Sequence, residues 1–314
     1  EHPPSSSTPV WFCSADHLDG AIHSNGQFHI FGDPVFEGHM SSAYGGPDDD
    51  DPAHNPSLMY YNGSYYNHIE STDPSNPPYD EPTFGDGYEL GTSAIELPEY
   101  PDDLQTFAAD GGLSLTGDME VELAREGRDG RMHGYISYRE PGGEWNDVEI
   151  SSFNGVVFIH GDVEIEGILD GSLTVGCSGY MYITDDVTYR ASDGHGPLPD
   201  CDDILGLVSE SDIIVEYNTP NCDGCCIHGH IMALGTSFMA QNYSSGSPRG
   251  TLQVFGGIIQ RYRGPVGTGY LYGDEVVIRT GYAKDYHYDP RFESLQPPGY
   301  FLTGKYYRLR WKEV

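Results

Sequence analysis

The feature that most constrains this fold is how little chain separates its apolar segments. In residues 155–189, GVVFIHGDVEIEGILDGSLTVGCSGYMYITDDVTY, four pairs alternate with polar residues or glycine: Val157 and Ile159, Val163 and Ile165, Leu173 and Val175, Met181 and Ile183. A period of two is strand patterning, because successive side chains on a strand point to opposite faces. The breaks are single glycines or Gly-Asp, too short for the dozen or more residues that a helical crossover needs. A sandwich, a meander, or a parallel β-helix that turns at each glycine all fit such spacing. Residues 20–43 have the same texture, with Ile22, Phe28, Ile30, Val35, Phe36 and Met40 set between Ser-Asn-Gly and Gly-Asp corners, and so do residues 250–269. Three separated blocks of one texture point to a coil architecture rather than to three domains.

Helical patterning is nearly absent. The best candidate is 101–112, PDDLQTFAADGG, with proline in the first turn, acids near the N-terminus and glycines as the stop. Residues 44–57 read as a Gly/Pro/Asp loop, and 58–69, LMYYNGSYYNHI, as a hairpin across an Asn-Gly turn. MEVELARE and GYISYRE within 113–150 read as strands of a small lobe. The organisation expected is a Pro/Ser-rich linker or arm (1–15), N-terminal coils with an Asp/Tyr-rich loop and hairpin (16–90), a small inserted α+β lobe (91–154), and a main body with the C-terminal segment (155–314).

The 314 residues carry 49 acidic and 15 basic side chains, for a formal charge of −34, and lysine occurs only at Lys284, Lys305 and Lys312. No basic stripe exists to neutralise phosphates, so nucleic acid is excluded as a partner. No apolar run approaches the roughly 20 residues that span a bilayer. An even set of six cysteines in so acidic a chain fits an oxidising, extracellular compartment or cell surface.

Several blocks, in chain order, carry a resemblance: LDGAIHSNGQFHIFGDPVFEGHMSSA, residues 154–189, DILGLVSESDIIV, IHGHIMALGTSF, TLQVFGGIIQRYRGPVGT and GYAKDYHYDPRFESLQPPGYF. Together the chain resembles a bacterial surface-protein domain of unknown function found with PilX-like, type IV pilus-associated proteins, with turns like those of bactofilins. The resemblance implies an all-β fold with a right-handed parallel β-helix-like body, on an exported, envelope-associated protein. It implies pilus components as partners and no catalytic residues. The cysteines are a departure from the pattern and suggest a covalent reinforcement particular to this chain.

The residues themselves leave three readings. The first is a non-enzymatic structural protein, self-assembling or filament-forming, stapled by disulfides among Cys13, Cys177, Cys201, Cys222, Cys225 and Cys226. Cys177, Cys201 and the Cys222–Cys226 cluster each fall before an expected strand, and equivalent corners of neighbouring rungs would lie about 4.8 Å apart, within disulfide reach. The preferred pair is Cys201 with one member of the cluster. The second reading is a polysaccharide-binding or polysaccharide-cleaving protein, with tyrosines and carboxylates from adjacent rungs lining one face. Asp185-Asp186 and Asp202-Asp203 invite that reading, but adjacent acids on a strand point apart and cannot bracket a glycosidic bond alone. The third is a metal module at CDGCCIHGH (222–230), where Cys222 and Cys225 have C-x₂-C spacing and His228 and His230 lie on alternate strand positions. No cofactor is required by any motif. Calcium is the one ion suggested, at Asp48, Asp49, Asp50 and Asp51, although no Asp-x-Asp-x-Asp-Gly loop is present. Tyr60, Tyr61, Tyr65, Tyr66, Trp11 and Trp311 are the candidates for assembly contacts, because such rings bring large area with a polar tip.

Overall fold

The computed structural model describes residues 10–43, 58–61, 65–66, 82–98, 101–126, 132–193, 196–272 and 275–300. The class is all-β. Ten short strands come first: β1 (Phe12–Cys13), β2 (His17–Leu18), β3 (Ile22–Ser24), β4 (Phe28–Phe31), β5 (Val35–Phe36), β6 (Met40–Ser42), β7 (Leu58–Tyr61), β8 (Tyr65–Tyr66), β9 (Thr83–Phe84) and β10 (Tyr88–Leu90). The helix α1 spans Asp102–Ala109. The body follows as β11 (Leu113–Thr116), β12 (Met119–Glu126), β13 (Met132–Arg139), β14 (Asn146–Glu149), β15 (Val156–His160), β16 (Val163–Leu169), β17 (Ser172–Cys177), β18 (Met181–Tyr189), β19 (Ile204–Ser209), β20 (Ile213–Val215), β21 (Cys225–Ala233), β22 (Phe238–Ala240), β23 (Pro248–Gln260), β24 (Gly267–Tyr272) and β25 (Glu275–Tyr288).

From β15 on, strands of the body pair in parallel mostly with the strand two positions on, while antiparallel pairing of immediate neighbours is confined to β12–β13–β14 and β24–β25 among the described strands. One stack runs β11, β15, β17, β19 and then the second halves of β21 and β23. A second runs β12, β16, β18, β20, β22. A third begins with the ends of β16 and β18, continues through the starts of β21 and β23, and reaches β25. Registers hold over long runs, with shifts between Ile165 and Gly167 and between Pro248 and Thr251, so like positions form columns. Val157, Val175, Leu207 and Ile231 make one inward column, and Met119, Val163, Met181, Ile213 and Phe238 another, all of them buried. Alternation puts these side chains inside, and apolar burial holds the rungs together.

The chain bends from the third stack to the first at Gly229 in β21 and Gly256 in β23, which are register partners with φ of +148° and +157°. A Cβ on Gly256 would lie 1.8 Å from the Gly229 carbonyl oxygen. Only glycine allows rungs to turn this corner one above the other.

The first two N-terminal rungs are built the same way, one fixed step apart. Phe12 pairs with Ile30, His17 with Val35 and Ile22 with Met40, each 18 residues apart. Their order in space is not their order in sequence. β2 pairs in parallel with β25 through Leu18 and Tyr286, so the first rungs of the chain sit beyond the last strand of the body. Their core of Phe12, Phe28, Ile30, Phe36 and Met40 is separate from the core of the body.

Between the two cores lies an ionic layer. Asp16, 2 % exposed, is contacted by Lys284 Nζ at 2.7 Å and Arg263 Nη2 at 3.2 Å, and Arg263 also lies over the Phe12 ring at 3.5 Å. Burial alone would raise the Asp16 carboxyl, but Lys284 and Arg263 hold it below the usual range. Burial and then Arg263 push the Lys284 ammonium down. Nearer the surface, His287 is held between Asp19 at 3.0 Å and Asp285 at 2.8 Å.

Two segments run along the stacks and tie rungs together. Beyond β10, the Thr92 amide donates to the Ser42 carbonyl, and Ile95 exchanges two hydrogen bonds with the Asn25 side chain. Helix α1 then buries Leu104 and Ala108 against Val156, Phe158, Val208 and Met232 of the first stack. At the other end, Arg291 donates to the Cys201 and Asp203 carbonyls, Tyr300 lies against His230, and the Pro298 carbonyl accepts from Thr174.

Candidate functional site

The CDGCC stretch turns two residues earlier than its sequence suggests. Gly224 (φ +119°) is the corner, and β21 begins at Cys225 rather than at Ile227. Cys225 therefore points into the core at the level of Leu252, while Cys226 points outward beside Gln253. Cys177 is the last residue of β17, wholly buried, with its thiol donating to the Gly179 carbonyl. The Cys201 thiol faces Asp203, and Cys222 is exposed. All six cysteines are free thiols. The expected disulfide staple is not formed, and the pair of Cys201 with the cluster is not made. Placement differs from the expected row of corners: Cys177 and Cys225 lie on strands facing the core, Cys201 is buried before β19, and Cys222 is exposed. Burial pushes the Cys177 and Cys226 thiols up to about 12, so neither is poised as a thiolate.

Cys226 and His228 do come together, with Sγ 3.5 Å from Nε2. The backbone N–H of Tyr189 donates to His228 Nδ1 at 3.0 Å, which fixes Nδ1 as an acceptor. Nε2 then carries the proton and faces the sulfur. A ring in that tautomer cannot take the thiol proton, so this pair is not an activated nucleophile. Burial, the leading cause, pulls His228 down to about 4 and keeps it neutral. His228 and His230 do not share one face. Gly229 bends the strand between them, so His228 packs against Tyr189 and edge-on to Phe255, and His230 against Phe292 and Tyr300. Among the described residues no three His, Cys, Asp or Glu side chains are grouped to hold a metal. The donors of CDGCCIHGH are thus dispersed.

The carboxylate pairs serve the backbone. Asp203, buried, accepts from the Gly171 and Ala191 amides, and Asp186 accepts from the Cys226 amide. Trp11 meets His29 edge-on at 5.1 Å. Asp48, Asp49, Asp50, Asp51 and Trp311 lie outside the described residues. Of Tyr60, Tyr61, Tyr65 and Tyr66 only the backbone is described, on the antiparallel pair β7–β8.

Two surfaces not singled out in the sequence have the chemistry of a binding site. On the outer side of the second stack, Glu120, Glu164 and Tyr182 are register partners on β12, β16 and β18, with Glu122 beside Glu166. Arg139 pairs with Glu120 and lies over Trp145 at 4.4 Å, and Tyr180 is exposed next to Tyr182. Partial burial, then the charges of Glu216, Glu120 and Glu166, raises the Glu164 carboxyl. The ridge thus sets the carboxylates of β12 and β16 beside the aromatic rings of β18 and the turn before it. The second surface is a cleft of about 370 Å³ lined by His133, Glu149, Ser151, Asn154, Asp170 and Pro298 among others. Asp170 is engaged by Arg190 at 2.9 Å, and Glu149 accepts from Ser151. The signal that could have found the ridge is the EVE and EIE alternation in β12 and β16, where the polar position is acidic each time.

No protein-family model, curated protein or solved structure matches this chain.

Proposed function

We propose that this chain is a non-enzymatic, extracellular structural protein whose body is a right-handed parallel β-helix, serving as a pilus-associated or self-assembling surface subunit. The observation that carries the reading is the parallel pairing of strands two apart, repeated in three stacks, which suits a β-helical body with part of each end left open. At one end β12 is covered by the antiparallel β13–β14 pair, while β11 pairs only with β15 among the described strands. At the other, β10 pairs only with β6 among the described strands. Such edges are where a further copy would add. The pinned Cys226–His228 tautomer supports a non-enzymatic reading of the most reactive-looking stretch. The acidic surface suits an exposed, solvated setting. Small-angle scattering and electron microscopy across a concentration series test this: an elongated particle that grows end to end is expected, and a compact monomer at every concentration would overturn it.

A second reading rests on the Glu120–Glu164–Tyr182 ridge. Aromatic rings beside carboxylates suit stacking on sugar rings with acceptors for hydroxyls, so the ridge would bind neutral or amino-bearing polysaccharide. Glycan-array binding that is lost in a Tyr180→Ala/Tyr182→Ala double variant is the expected result.

A further inference from the structure

Lysine is the rarest charge in this chain, three against twelve arginines, and the one lysine among the described residues is sunk in the ionic layer. An arginine would make a stronger charge pair with a carboxylate, as the chain does at Arg291–Asp289 and Arg139–Glu120. Lysine has one capacity that arginine lacks: its amine, once neutral, is a nucleophile.

The surroundings of Lys284 match that capacity. Nζ lies 2.7 Å from Asp16 Oδ1 and 2.8 Å from Oδ2. Asp16 Oδ2 also accepts from the Cys13 backbone N–H at 3.1 Å and faces Arg263 Nη2 at 3.2 Å. Oδ1 is buried and accepts no hydrogen bond of good geometry, although the lysine nitrogen is against it. One carboxyl oxygen is thus cradled by two donors besides the lysine, as an oxyanion would be, and the other faces the amine alone. Phe12 and Tyr286 wall the site, and the partners are 268 residues apart in sequence.

We propose that Lys284 and Asp16 condense to an isopeptide bond that welds the N-terminal rungs to β25. A proton passes from the ammonium to the carboxylate across the 2.7 Å contact, since a dry site brings the neutral pair closer in energy to the ion pair than water does. Nζ then forms a bond to Cγ, and the charge on Oδ2 is held by the Cys13 N–H and Arg263. The Cγ–Oδ1 bond breaks, and Oδ1 leaves as water with two protons that began on Nζ. Ammonium and carboxylate become one secondary amide and one water, with no change of oxidation state. Fixed proximity of the reacting atoms supplies the drive that such a step lacks in solution. The inference does not depend on the proposed function, and its failure would leave that reading as it stands.

The test is the intact mass of the folded, purified chain, followed by peptide mapping. A mass one water below that of the sequence is expected, with a branched peptide joining the segments that hold Asp16 and Lys284. Lys284→Arg keeps the charge and is expected to restore the full mass. Asp16→Asn is expected to lose ammonia instead of water, which keeps the chemistry visible where the first variant fails to fold. Full sequence mass in folded wild-type protein would overturn the proposal. So would a water loss mapped elsewhere, such as cyclised Glu1 or an Asp-Gly succinimide, or one that persists in Lys284→Arg.

Discussion

The body and the N-terminal rungs use the same construction with different interiors. The body fills its inside with columns of Val, Ile, Leu and Met, and its rungs follow one another in sequence. The N-terminal rungs pack mostly phenylalanines, Phe36 stacking on Phe84 at 5.6 Å, and they meet the body through a single register pair and a layer of charge. An apolar column is indifferent to which rung lies above, whereas Asp16 against Lys284 and Arg263 accepts only one partner. Charge in the seam therefore supplies specificity where hydrophobic stacking could not.

The comparison can be broken in several places. The largest effect is expected at the shared corner: Gly256→Val drives a branched side chain into the Gly229 carbonyl, and loss of soluble protein is expected, read as expression yield. Asp16→Ala leaves Lys284 and Arg263 buried without a counter-charge, at a cost of about 3–5 kcal/mol. Hydrogen exchange should then show residues 10–43 opening while β15–β23 stay protected. Equal loss of protection in both would mean that the seam does not separate them.

Acid should act on the two regions with opposite sign. In the body, burial holds His228 and His230 down to about 4 against an ordinary value of 6.5. The unfolded chain binds those protons first, so the body loses stability as pH falls from 6.5 towards 4, by a few kcal/mol in all. Chemical denaturation of wild type and His228→Gln between these pH values checks this, the variant showing the shallower slope. In the seam, burial pulls His287 down, but the hydrogen bond it donates to Asp19 and the charge of Asp285 outweigh it and raise it. Its clamp is complete below the ordinary imidazole value and is lost as pH rises through the raised one. The effect is the smallest of the set, because these side chains are about a third exposed and salt screens them. Exchange rates of the Leu18 and Tyr286 amides should rise with pH beyond their intrinsic dependence, and His287→Gln should abolish that excess.

Much of the body could be read before the structure. Val157, Ile159, Val163, Ile165, Leu173, Val175, Met181 and Ile183 are all fully buried, because alternation in short segments leaves little choice of face. The helix forms at Asp102–Ala109 within the expected 101–112, and β7–β8 form within the expected hairpin. Alternation says which side chains turn inward but not which rung lies next, so the stacking of β2 on β25 was illegible. The Cys/His stretch misled because its strand begins at Cys225 rather than Ile227: a shift of two positions keeps the alternation and moves Cys225 and Cys226 from loop to strand. The scarcity of lysine was the one visible sign that Lys284 had a particular place.

The seat of β2 on β25 also sets an order of manufacture. Leu18 is made early, and its neighbour Tyr286 follows 268 residues later. At about 5–20 residues per second of synthesis, the first rungs wait on the order of tens of seconds for the surface they rest on. During that interval their outward strand is an open edge, and a cell that makes this chain must shield it until the last strand arrives.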